Sequence, residues 1–139
     1  MVSAKTVRRI GAAALIVPGI DHLISPTLTM IFAPIVMETM LGAGWISATV
    51  FFIVLGLFQL SWIGVLLKSK KSSLLALGVV GNLISILIYF ISITGVTIFG
   101  VPPQPLVPFA VLIKALEAVS LLTPVYLVKT ERFPSRKTT

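Results

Sequence analysis

The chain has 139 residues, 57% hydrophobic and only 11% charged, with a mean hydropathy of +1.10. A soluble domain carries about 25% charged residues, so this composition excludes a water-soluble globule and predicts one transmembrane domain over residues 1–139. With no cysteine, one histidine and a net charge of +7, disulfides, thiolate chemistry and a multi-histidine metal site built from this chain alone are excluded as well.

The first apolar segment runs from Ile10 to Ile24. It is short, Pro18 and Gly19 interrupt it, and Asp21-His22 close it. A charged start before an apolar run also fits a signal peptide, but no small-x-small cleavage site follows. The next stretch, "SPTLTMIFAPIVMETMLGAG", is apolar yet holds Pro26 and Pro34. It is too broken for a straight span, and is expected to be partly helical, lying at the interface or re-entering the bilayer. Segments 45–67 and 74–98 each exceed the roughly 20 residues that a spanning helix requires. Between spans three and four, "FGVPPQPLVP" carries Pro102, Pro103, Pro105 and Pro108, which predicts a stiff, non-helical link. The fourth segment covers 107–128, and 129–139 reads as a polar tail.

Four spans explain where the charges fall. Lys5, Arg8 and Arg9 precede span one, and Lys68, Lys70 and Lys71 lie between spans two and three. Lys129, Arg132, Arg136 and Lys137 follow span four. These are ten of the eleven basic residues, all on one side, and the opposite loops have none. The positive-inside rule then places both termini in the cytoplasm of a multi-pass membrane protein. Basic residues at the ends of apolar segments are lipid-facing flanks, not a nucleic-acid surface. The fold expected is an all-α four-helix bundle.

Within the spans, Asp21, His22, Gln59, Asn82, Tyr89, Lys114 and Glu117 sit at membrane depth, where a charge costs at least about 2.5–3.5 kcal/mol. Counting about 1.5 Å per residue from the basic end places Asp21, His22, Glu117 and Lys114 in one layer, at roughly 16–21 Å. Lys114 and Glu117 are three apart and share a helix face. If spans one and four are neighbours, Asp21 approaches Lys114 and His22 approaches Glu117. With His22 protonated, such a layer sums to zero charge. Gln59 and Asn82 fall in a second layer about 12–13 Å deep. Gly78, Asn82, Ser85, Tyr89 and Ser92 recur at spacings of 4, 3, 4, 3 and form one inward stripe. Gly56 and Gly64 offer close-approach points on span two.

The simplest reading of Gln59, Asn82, Ser85, Tyr89 and Ser92 is interhelical polar packing, and that of Lys114–Glu117 is an ion pair fixing helix register. A relay or ligand role for Asp21, His22, Lys114 and Glu117 is the functional alternative. No nucleophile elbow, metal-binding helix motif, P-loop or dinucleotide fingerprint occurs in the sequence, and no catalytic residue, metal or cofactor is assigned.

His22, Phe51-Phe52 with Gln59, Gly81-Asn82, Tyr89, Ser92, "GVPPQP" and Glu117 follow one another in an order that resembles a loose group of small four-span membrane proteins of archaea and actinobacteria. The likeness spans Gly19 to Glu117. It departs at Gln104, where the group has a glycine, and at Lys114, where a second acid is common. The resemblance implies a shared internal site or packing scheme and brings no activity with it. The function expected is a non-catalytic integral subunit of a larger membrane complex, with an oxidase or monooxygenase assembly as the host suggested by analogy and lipid and other membrane chains as partners. A small carrier or ligand-binding protein, and a membrane enzyme acting on a quinone or lipid, are the alternatives.

Overall fold

The computed structural model describes residues 3–98 and 106–131 and is all-helical. In chain order the helices are α1 (Ala4–Ala14), α2 (Ile16–Phe32), α3 (Pro34–Leu41), α4 (Trp45–Lys68), α5 (Ser72–Ile93) and α6 (Pro108–Glu131), with a 3-10 turn, Gly42–Gly44, before α4. Among the described residues, Ala4–Phe32, Gly42–Lys68, Ser73–Ile93 and Pro108–Thr130 are long and apolar enough to cross a membrane.

The first span departs most from its expected bounds, since α1 and α2 together extend the apolar segment at both ends. They meet at Leu15, and Pro18 explains the joint. Proline has no amide to give the carbonyl one turn back, so the hydrogen-bond ladder is interrupted there. Leu15 N instead bonds Ala12 O at 3.2 Å, and Gly19 N returns to Leu15 O at 2.9 Å. Pro26, expected to help break the chain, lies inside α2. The helix stops only at Ala33, with φ −143° and ψ 49°, because the residue before Pro34 is pushed out of the α region. Pro34 then opens α3, so most of 25–44 is helical.

α5 ends at Ile93 instead of Ile98. Thr94 caps it, and Gly95 takes φ 95°, a left-handed conformation that glycine adopts without a Cβ clash. Pro108 begins α6 and does not belong to the link, since proline at the first helical position gives up an amide that has no partner there. Pro102, Pro103, Pro105 and Gln104, and the tail beyond residue 131, lie outside the described residues.

The packing places spans one and four side by side. α2 lies along α4, α1 packs on both α4 and α6, and α5 packs on α6 and α4. The pattern of burial is inverted relative to a soluble bundle. Large apolar side chains such as Val54, Leu77 and Leu122 face outward, while Gln59, Asn82, Ser85 and Glu117 are buried. An apolar core of Leu15, Trp62, Leu66, Leu75 and Leu127 fills one end.

The described flanking basic residues gather at that same end. Arg8 is buried and reaches from α1 to the last turn of α4, where its Nη1 donates to Leu66 O at 2.8 Å and to Ser69 O at 2.6 Å. A helix C-terminus leaves carbonyls unpaired and carries partial negative charge, so a guanidinium satisfies both needs. Arg8→Met is expected to cost about 2 kcal/mol, the range for hydrogen bonds from a charged group. Arg9→Met, at an exposed position, should stay within about 0.5 kcal/mol. Thermal unfolding of both variants in one detergent measures the difference.

Candidate functional site

On α6 the run "IKALE" sets Lys114 and Glu117 one turn apart, facing inward. Lys114 Nζ lies 2.9 Å from Glu117 Oε2 and also donates to Ser85 Oγ of α5 at 2.8 Å. That hydroxyl stands 3.1 and 3.0 Å from the two carboxylate oxygens. It therefore accepts a hydrogen bond from the ammonium and donates its own to the carboxylate. From α4, Gln59 Nε2 donates to Glu117 Oε1 at 2.8 Å. Glu117 is wholly buried, and its two oxygens take donors from Lys114, Ser85 and Gln59.

A carboxylate only accepts, which fixes the Gln59 amide with its nitrogen toward Glu117. Gln59 Oε1 then faces His22 Nδ1 of α2 at 2.9 Å. Since an amide oxygen cannot donate, Nδ1 carries the proton, and the histidine tautomer follows from the acid two bonds away. His22 Nδ1 is itself 3.5 Å from Glu117 Oε1, and the ring stacks on Phe52 at 5.4 Å between centroids. The second Gln59 N–H points to Asn82 Oδ1 at 3.4 Å, while Asn82 Nδ2 bonds Gly78 O of its own helix at 3.0 Å. One hydrogen-bonded network thus ties the first, second, third and fourth spans together.

Glycines set the spacing that makes this network direct. Gly19 and Gly56 each stand three residues before the polar residue they serve, His22 and Gln59, and so share its face. At Gly56 the backbones of α2 and α4 nearly touch. A Cβ there would lie 2.7 Å from Leu23 N and 2.8 Å from Gly19 O. Gly78 similarly accommodates the indole of Trp62. Gly64, expected as a second approach point, has nothing beside it.

The structure brings His22, Lys114 and Glu117 together; Asp21 makes no direct hydrogen bond or ion pair with them. Its carboxylate accepts from Ser25 Oγ at 2.8 Å, one turn along its own helix. Adjacent helical residues point about 100° apart, so His22 and Asp21 cannot both face the bundle axis. Lys114 and Glu117 form the direct ion pair, and the Asp21 carboxylate attracts Lys114 and His22 from outside hydrogen-bond reach. The two predicted layers are one network, because the Gln59 and Glu117 side chains bridge the few ångströms that separate their backbones. Along the α5 stripe, Asn82 and Ser85 serve the centre. Tyr89 lies beneath Lys114, at 5.8 Å from Nζ to ring centroid, and its buried hydroxyl has no protein partner among the described residues. Ser92 bonds the Tyr89 carbonyl instead of another helix. His22 and Glu117 stand 3.5 Å apart, but no third His, Cys, Asp or Glu completes a metal-ligand set among the described residues. Sequence reasoning did not single out Phe52 or Gly19 as parts of this centre. The repeated spacing of Gly19 to His22 and of Gly56 to Gln59 is the signal that marks Gly19.

The fold and this centre define a class: an all-helical protein with four helices fit to cross a membrane, built around a buried polar network. Compared with known proteins, the chain matches no family profile, no curated protein and no solved structure. The resemblance noted above therefore rests on motif order alone.

Proposed function

We propose that the chain is a non-catalytic integral membrane subunit, a rigid four-span scaffold held within a larger membrane assembly, with both termini on the cytoplasmic side. The observation that carries this reading is the closure of the polar centre. A wholly buried carboxylate takes donors from α4, α5 and its own helix, and a fourth contact runs through Gln59 to α2. Parting the helices, as a carrier must, would strand Glu117 or Lys114 in a medium where an unpaired charge is costly. Fixed helices with apolar outer faces suit a protein that presents constant surfaces to neighbouring chains. The one-sided distribution of flanking basic residues supports the orientation.

Purification of the native protein in mild detergent tests the assembly. Co-purifying membrane chains in fixed proportion are the expected result. A protein that elutes alone as a monomer, with no companion chain, overturns the subunit reading.

A further inference from the structure

At the basic end of the bundle a cleft of about 690 Å³ opens between α5 and α6. Its walls are apolar: Ala76, Val79 and Val80 on one side, Val125 and Val128 on the other, with Lys129 at the mouth. The small side chain of Ala76 and the ring of Pro124 leave space that bulkier residues would fill. Such a volume falls in the range of small-molecule sites, about 300–1,000 Å³. Left empty, its apolar lining would forgo dispersion contacts, so a hydrocarbon occupant is favoured.

Charge identifies the rest of the occupant. Lys129 belongs to the last turn of α6. Lys71 is the N-cap of α5, one turn before Leu75 and Ala76 of the cleft wall. Lys70 lies on the link before α5, and Lys68 ends α4. A cleft with apolar walls and a cationic mouth, in a chain that places this end at the membrane surface, matches one molecule: apolar tail, negative head.

We propose that this cleft binds an anionic glycerophospholipid, with an acyl chain between α5 and α6 and its phosphate against Lys129. The site is separate from the polar centre and independent of whether the chain is a subunit. It rests on insertion in a bilayer, which the need for detergent in purification reports on its own. A cation near the surface favours an anionic lipid by roughly fivefold.

The test uses the full chain, delipidated and then exposed to mixed micelles of equimolar palmitoyl-oleoyl phosphatidylglycerol and phosphatidylcholine, with retained lipid counted by native mass spectrometry. The wild-type protein should retain phosphatidylglycerol over phosphatidylcholine by roughly fivefold or more. Lys129→Gln should bring that ratio close to one. Ala76→Trp, at an exposed position, should remove the retained lipid while circular dichroism and elution volume stay unchanged. Equal retention of the two lipids by the wild type overturns the proposal. So does a phosphatidylglycerol preference that survives Lys129→Gln, or lipid retained by folded Ala76→Trp.

Discussion

Glu117→Leu should lower the stability of the bundle by about 3–5 kcal/mol, the cost of removing one partner from a buried ion pair. Leucine fits an apolar interior, so the loss arises elsewhere. Lys114 loses the acid 2.9 Å away that compensates its burial, and the Gln59 amide and the Ser85 hydroxyl lose the acceptor they share. Lys114→Met should be damaging for the mirror-image reason. The paired variant, Lys114→Met with Glu117→Leu, removes both charges and should recover much of either loss, because buried pairs replaced by apolar residues of similar volume are often neutral. Chemical unfolding of the four proteins in one detergent gives the coupling energy directly. Losses that simply add would mean the pair does not fix helix register. Glu117→Gln separates scaffold from carrier: a scaffold loses stability, whereas a carrier loses ligand binding or transport while its stability holds.

The two halves of this prediction were unequally visible in the sequence. Lys114 and Glu117 are three apart in one segment, so their pairing follows from helix geometry alone. Four helices long and apolar enough to cross a membrane followed from segment length, and the adjacency of the first and fourth that His22 requires is what the packing shows. Depth counting brought His22 to the right level but could not decide between it and Asp21. Rise along an axis says nothing about rotation around it, and only the packing of α2 on α4 selects which of two adjacent residues turns inward. The count also split Gln59 from Glu117, because it located backbones and ignored the length of two extended side chains. Pro26 reads as a breaker by its local chemistry, yet α2 runs through it, while Pro34, with Ala33 before it, does end the helix.

Gly56→Ala should destabilise the protein by about 1–3 kcal/mol, the usual cost of overpacking, whereas Gly64→Ala in the same helix should be neutral or stabilising by up to about 1 kcal/mol. The added atom is identical and both sites lie within α4, so propensity favours alanine equally at the two. Surroundings alone set the opposite signs. A Cβ at Gly56 meets Leu23 N, Gly19 O and His22 C, at 2.7, 2.8 and 3.0 Å. All three are backbone atoms of α2 and have no rotamer with which to move aside, so the helices must separate. At Gly64 nothing lies within 4 Å. Separation at Gly56 also lengthens the 2.9 Å bond between His22 and Gln59, which a purely local strain would leave alone. His22 is the only histidine in the chain, so the Nδ1 signal of a single imidazole reports that bond without residue assignment. It should change in Gly56→Ala and stay constant in Gly64→Ala. If the signal holds in both while Gly56→Ala still loses stability, the glycine contact packs α2 on α4 without positioning His22. The polar centre would then owe its geometry to Gln59 and Glu117 alone.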